Sequence, residues 1–171
     1  VTRWLVLSGN ARVDSHSNYG TAFSPRLSVL LRAPSGALAG WNARLSVGRG
    51  MFAPVPQTED TEVSGLTPLR PLGTLSAERA LGMSADIGGL VQLGDDARVE
   101  FNVSAFANSV SDAVQTVDET GTTAAGARFM RLANAPIASR THGGELLARL
   151  VVGDARVTAS YGYTAASEWD A

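Results

Sequence analysis

The sequence predicts an all-β fold: an antiparallel transmembrane β-barrel segment of about seven strands. Three observations carry that prediction. Apolar and polar residues alternate at period two along most of the chain, the pattern of a strand covered on one face. The polar side of several runs bears Arg and Glu while the other side is aliphatic. That suits a barrel with a polar lumen and an apolar outside, and not a soluble sandwich core. Short Gly/Asp turns at one end of the runs also oppose longer polar loops at the other, the mark of an outer-membrane-type barrel.

Composition agrees. The chain has 171 residues, enough for one domain, and Gly contributes 18 of them, more than average usage. There is no Lys, all fourteen positive charges being Arg, and the net charge of −2 with no basic cluster argues against nucleic acid as a partner. There is no Cys, which excludes a disulfide framework, a thiolate metal site and a Cys nucleophile. No apolar run is long enough for a transmembrane helix. Val1-Thr2-Arg3-Trp4 opens directly in strand pattern with no signal peptide, as expected of a mature chain or of a piece cut from a longer one.

Leu5, Leu7, Gly9, Ala11 and Val13 share one face of the first run, against Val6, Ser8, Asn10 and Arg12. A polar turn from Asp14 to Gly20 leads to Phe23, Pro25, Leu27, Val29 and Leu31 against Ser24, Arg26, Ser28 and Arg32. Pro25, which has no N–H to give a ladder, is expected near the strand start. After Ala33-Pro34-Ser35-Gly36, the third run sets Trp41, Ala43, Leu45 and Val47 against Asn42, Arg44 and Ser46. Residues 51–74 are expected as a long loop, rich in Pro and acidic residues, beyond the length usual in compact domains.

The fourth run places Leu81, Met83, Ala85 and Ile87 opposite Glu78, Ser84 and Asp86, and ends in the Gly94-Asp95-Asp96 turn. Val99, Phe101, Val103, Ala105 and Ala107 then alternate with Glu100, Asn102, Ser104 and Asn108. A second long loop is expected at 112–128. A single return strand is expected from Arg131 through Asn134 to Leu146, Ala148, Leu150 and Val152, opposed by Glu145 and Arg149. Gly153-Asp154-Ala155 turns the chain into a last run with Val157, Ala159, Tyr161 and Tyr163 on one side. Aromatics at strand ends (Trp4, Trp41, Tyr161, Tyr163, Trp169) fit an interfacial girdle better than a sugar site.

Several segments, in order, resemble the barrel of TonB-dependent outer-membrane receptors. Gly48-Arg49-Gly50-Met51-Phe52-Ala53-Pro54 is similar to the family's "GRGFRAP". Ser24-Pro25-Arg26-Leu27 resembles "SPRLGL", and Leu75-Ser76-Ala77-Glu78-Arg79 resembles "LKPERS". Val99 to Phe106, the stretch from Asn134 to Leu146, and Ala159-Ser160-Tyr161-Gly162-Tyr163 match further strands. Departures include Met51-Phe52 for "FR", Ala77 for Pro, and His142 for Arg. The resemblance implies a bacterial outer-membrane receptor, not an enzyme, that takes up a scarce nutrient such as siderophore-bound iron or cobalamin with energy from TonB. Its barrel has about 22 strands, so residues 1–171 would form about a third of one. The plug domain that contacts the TonB complex is absent from this chain. A sheet cut in this way has two open edges and a face suited to lipid, so the isolated piece is expected to aggregate.

The candidate ligand-binding residues are Arg26, Arg44, Arg49 and Phe52 in the lumen or at the loop, with Gln57, Glu59 and Asp60 in the loop itself. Arg26, Arg44 and Arg149 could line a path for an anionic ligand, or simply pair with Glu78, Glu100 and Glu145 on other strands. Glu59, Asp60 and Glu62 could hold a cation such as Ca2+, although such a cluster is more often a solvated loop. His16 and His142 are the only histidines. Haem receptors of this family use His, so a haem role is a minor alternative for either; His142 shares the parity of the outward Leu146, which points it away from the lumen, and His16 lies in a short turn that favours no role. No catalytic residues, metal site or cofactor are predicted, since no nucleophile elbow or base-and-orienter spacing occurs. Another outer-membrane barrel, such as a passive porin or a barrel enzyme, and a soluble all-β binding domain are the competing readings.

Overall fold

A computed structural model describes residues 4–54, 74–122 and 128–168. Its elements are β1 (Leu5–His16), β2 (Gly20–Arg32), a 3-10 turn (Gly36–Leu38), β3 (Asn42–Phe52), β4 (Glu78–Gln92), β5 (Ala97–Ser111), β6 (Val114–Thr122), β7 (Arg128–Asn134), β8 (Ser139–Val152) and β9 (Ala155–Ser167). Seven strands make one antiparallel sheet in the order β1-β2-β3-β4-β5-β8-β9, and β6 and β7 pair only with each other. Edge strands β1 and β9 do not meet, so the sheet is an open wall and not a closed barrel.

Period-two alternation becomes two unlike faces because the register of the large sheet runs without a shift. Successive partners place Leu7, Val29, Leu45, Ala85, Ala105, Gly144 and Tyr163 in one cross-sheet row. The neighbouring row of opposite parity runs Ser8, Ser28, Ser46, Ser84, Phe106, Gly143 and Thr164. A slip of one residue in any strand would mix the two sets. The carboxylates of the large sheet's strands (Asp14, Glu78, Asp86, Glu100 and Glu145) all fall on the second, polar face.

The apolar face is uncovered. Leu7, Phe23, Leu27, Val157 and Tyr161 are each more than 60% exposed, and the buried hydrophobic side chains among the described residues are Leu132, Ala135 and Val151. A soluble domain of this length buries most of its large aliphatics in one core. This sheet presents them outward, as a wall that lipid covers does. No helix is long and apolar enough to cross a membrane, so any crossing is made by strands.

The connections are asymmetric. One end of the sheet carries 33–41, 93–96 and 153–154; the other carries 17–19, 53–77 and the whole excursion 112–138. The turn at 153–154 is closed by Gly153 at φ +53°, a conformation that glycine adopts without penalty.

Three expectations need correction. The 112–128 segment, expected as a loop, carries β6 and the start of β7, a hairpin standing apart from the large sheet. The expected single return strand is two strands, β7 and β8, broken at 135–138, where Pro136 has no N–H for a ladder. Pro25 lies inside β2 and not at its start; the β2–β3 pairing begins only at Arg26, so Pro25 precedes that ladder.

Candidate functional site

The polar face concentrates the groups able to meet a ligand. Gly48 and Gly82 are partners on β3 and β4, so two adjacent positions on this face have no side chain. Their neighbours lean over the gap. Arg26 Nε lies 3.3 Å from where a Cβ on Gly48 would stand, and Asn108 Oδ1 lies 2.8 Å from the same point on Gly82. The result is an open hollow of about 590 Å3, lined on the polar side by Arg26, Ser46, Ser84, Phe106 and Asn108. Arg26 makes no ion pair with any described residue, so its five-donor fork is free for an oxygen-rich anion. Ser28 and Ser46 share a hydroxyl hydrogen bond of 3.0 Å beside it.

Toward the long-loop end a second hollow of about 730 Å3 opens where the chain leaves β3 and returns to β4; Tyr19, Gly50, Ser76 and Ser111 are among its lining residues. Here the two excursions are fastened together. Asn134, the last residue of β7, donates from Nδ2 to Ser76 O (3.0 Å) and to Asp112 O (2.6 Å), and its Oδ1 accepts from Ser76 N (2.8 Å). Glu78 Oε1 accepts from Val114 N at 2.7 Å, tying the start of β4 to the start of β6. Asp112 turns the chain out of β5 at φ +58°, a left-handed conformation that Asp tolerates better than most residues.

The candidate residues fall in different places. Arg26 and Arg44 lie on the polar face, with Arg44 opposite Asp86. Phe52 ends β3 on that face, opposite Glu78, and is 57% exposed. Arg49 is neither in the lumen nor in the loop: it sits within β3, opposite Leu81, on the apolar face. The alternation Leu45, Val47, Arg49 dictates this. Gln57, Glu59 and Asp60, with Glu62, lie outside the described residues. Of the expected inter-strand pairs, Arg149–Glu100 forms, at 3.4 Å, with Arg98 at 3.1 Å on the other oxygen of Glu100. Glu78 is engaged instead with the backbone of Val114. His142 lies on the apolar face opposite Ala107. His16 closes the β1 end, its ring 4.9 Å from that of Tyr19 and tilted 40° to it, with Nδ1 accepting from Asn18 N. No group of three or more metal-ligating side chains occurs among the described residues.

Sequence reasoning missed Asn134 as a clamp and the Gly48–Gly82 hollow. The glycines carried a legible signal, since both fall on the polar parity of neighbouring strands. Asn134 did not, because its partners at Ser76 and Asp112 are remote in sequence.

Two unlike faces, an open edge at each side and long connections at one end define this chain as wall from a membrane β-barrel of outer-membrane type. The chain belongs to the TonB-dependent receptors: the family described as TonB dependent receptor-like, beta-barrel matches residues 1–171. Family membership places it among receptors and not among enzymes. The fold is similar to that of the siderophore receptor PirA from Pseudomonas aeruginosa, with TM-score 0.74 and 18% identity over 98% of this chain and 32% of that one. It is also similar to the siderophore receptor PirA from Acinetobacter baumannii, with TM-score 0.65 and 22% identity over 96% of this chain and 26% of that one. The chain therefore spans about a third or less of the length of these receptors. A comparison with curated proteins finds no match.

Proposed function

We propose that this chain forms part of the barrel wall of a bacterial outer-membrane receptor that imports a scarce nutrient, such as siderophore-bound iron or cobalamin. Energy would come from the TonB complex through a plug domain that is not among these residues. The observation that carries the reading is the sorting of side chains in a chain matched throughout by the receptor family: every carboxylate of the large sheet's strands lies on one face, and the other is largely aliphatic and carries none. Arg26 with the hollow beside it, and the clamped bases of the two excursions, supply the surface that an anionic chelate would meet. The extracellular side is the end bearing 53–77 and 112–138, because barrels of this type keep short turns on the periplasmic side.

The test is deletion of residues 55–70 from the full-length receptor, with nutrient binding and heat-modifiability measured together. Loss of binding with a band that still shifts on boiling supports the loop as recognition surface. Unchanged affinity removes the loop from that role. A protein with no heat-modifiable band, recovered in the soluble fraction, overturns the outer-membrane reading itself.

A further inference from the structure

One cross-strand row of the polar face is written twice. The hollow beside Arg26 rests on Arg26, Gly48, Gly82 and Asn108, successive partners on β2, β3, β4 and β5. Six residues along the same strands, the partners are Arg32, Asn42, Gly88 and Asn102. Arg, Gly and Asn recur on β2, β4 and β5, and Asn42 stands where the first row has Gly48. The packing recurs too. Asn102 Nδ2 lies 3.0 Å from where a Cβ on Gly88 would stand, as Asn108 leans over Gly82. At about 3.4 Å per residue the two rows are about 20 Å apart. The second lies at the short-turn end, where Arg32 ends β2 and Asn42 begins β3.

A third hollow, of about 400 Å3, opens at this second row. Leu30, Arg32, Asn42 and Arg44 are among its lining residues, and no Asp or Glu is. Arg44 is the partner of Leu30, so it sits diagonally across from Arg32, with the roots of the two side chains about 7–8 Å apart. Asp86 stands opposite Arg44 on β4 but forms no ion pair with it. The side chains of Arg32, Arg44, Asn42 and Asn102 make no hydrogen bond or ion pair among the described residues. Two guanidinium groups against one carboxylate leave the hollow net positive. Like charges on neighbouring strands repel, and an anion between them removes that repulsion. Each guanidinium is a planar fork matched to one carboxylate. The amides of Asn42 and Asn102 supply further donors beside them.

We propose that Arg32, Arg44 and Asn42 form a second anion site on the lumen wall, near its short-turn mouth, for a molecule bearing two or more carboxylates. The site rests on the receptor reading above and deepens it. An anionic cargo entering at the long connections meets Arg26 first and this site about 20 Å further along the same strands. The row of Ser28, Ser46 and Ser84 lies between them, so small hydroxyl side chains follow Arg26 along the wall.

The test titrates the full-length receptor in detergent, carrying isotope-labelled arginine, with citrate, inorganic phosphate or acetate at matched ionic strength. The readout is the set of guanidinium Nε–H resonances, with those of Arg32 and Arg44 assigned by Arg32→Gln and Arg44→Gln. Both resonances are expected to move on one saturation curve with citrate, at an affinity about tenfold or more above that for acetate, since a second carboxylate adds a charge-assisted contact. Either substitution should bring citrate down to the affinity of acetate at the remaining arginine, and Arg156→Gln should change nothing. Equal affinity for citrate and acetate would reduce the effect to ionic screening and overturn the site. Phosphate bound as tightly as citrate would overturn the assignment to two carboxylates. Silent Arg32 and Arg44 resonances would overturn it as well, and are the result expected if a carboxylate of the receptor itself fills the hollow. Heat-modifiability of the same sample separates the two failures: a closed barrel with both resonances silent sinks only this site, and absence of a barrel sinks the reading beneath it.

Discussion

The indole of Trp41 lies directly over Gly89: a Cβ added to that glycine would stand 2.7–2.9 Å from three ring atoms. The ring is held there from two sides. Its Nε1 donates to Leu90 O at 3.2 Å, and Phe101, the β5 partner of Gly89, meets it edge-on at 4.9 Å between centroids. Trp41 thereby fills the gap left by a side chain that is missing from the apolar face. It does so at the short-turn end, where an interfacial aromatic is expected.

Gly89→Ala should therefore displace the indole and cost about 1–3 kcal/mol, as overpacking does. The midpoint temperature at which the full-length barrel loses its heat-modifiable band would fall. Trp41→Ala and Gly89→Ala combined should cost less than the sum of the two, because they share one contact. Strict additivity would show that the ring does not depend on the glycine.

Gly143 is the more demanding position. A Cβ there would run into the backbone carbonyl of Tyr163 and stand 2.8 Å from the Phe106 ring, whereas at Gly50 a Cβ meets nothing within 4 Å. A carbonyl in a ladder cannot swing aside as a side chain can. Gly143→Ala should weaken the β8–β9 pairing more than Gly89→Ala weakens its own site, and Gly50→Ala should be nearly neutral. Hydrogen exchange on the amides of β9 would report the first. An unprotected β9 in Gly50→Ala would contradict the ranking.

The large sheet was legible because its two faces differ. An aliphatic face backed by a polar one is written as period-two alternation, which Leu45, Val47 and Ser46 display without ambiguity. The β6–β7 hairpin was not legible for the converse reason. Gln115, Thr116, Asp118 and Thr122 do not alternate with apolar residues, since that hairpin belongs to no two-sided wall. The break between β7 and β8 is legible in Pro136, which has no N–H to give a ladder. At the candidate site, Arg26 and Arg44 could be placed by parity alone. The clamp at Asn134 depends on three segments brought together only by the fold.

Glu100 bridges Arg98 and Arg149 on the polar face, and all three side chains keep a third or more of their surface exposed. Exposed pairs of this kind couple weakly, so a double-mutant cycle of Glu100→Gln with Arg149→Gln should return at most about 1 kcal/mol. The value should shrink as salt is raised. A coupling well above that, insensitive to salt, would mean that the full-length receptor seals this part of the wall from water.

Asn134 is the residue on which the geometry of the loop end turns. Its side chain satisfies both backbone polar groups of Ser76 and also the carbonyl of Asp112, so one amide joins the return of the 53–77 excursion to both ends of the 112–138 excursion. Removing it in Asn134→Ala leaves three backbone groups to find water, at about 1–3 kcal/mol for each one that stays unsatisfied. The loss is local, because the seven-stranded sheet makes none of these bonds. Amide exchange in the full-length receptor should therefore accelerate at 74–77 and 113–135 while β1 to β3 keep their protection. If the proposed function holds and both excursions meet the nutrient, its affinity should fall with it, since segments that were held in one arrangement would have to be ordered on binding. Asn134→Asp tests the donor role separately: it keeps the acceptor for Ser76 N but removes both donations, and should show an intermediate acceleration. Exchange that rises throughout the large sheet in Asn134→Ala would instead make this residue part of global barrel stability, and the two excursions would no longer be a coupled unit.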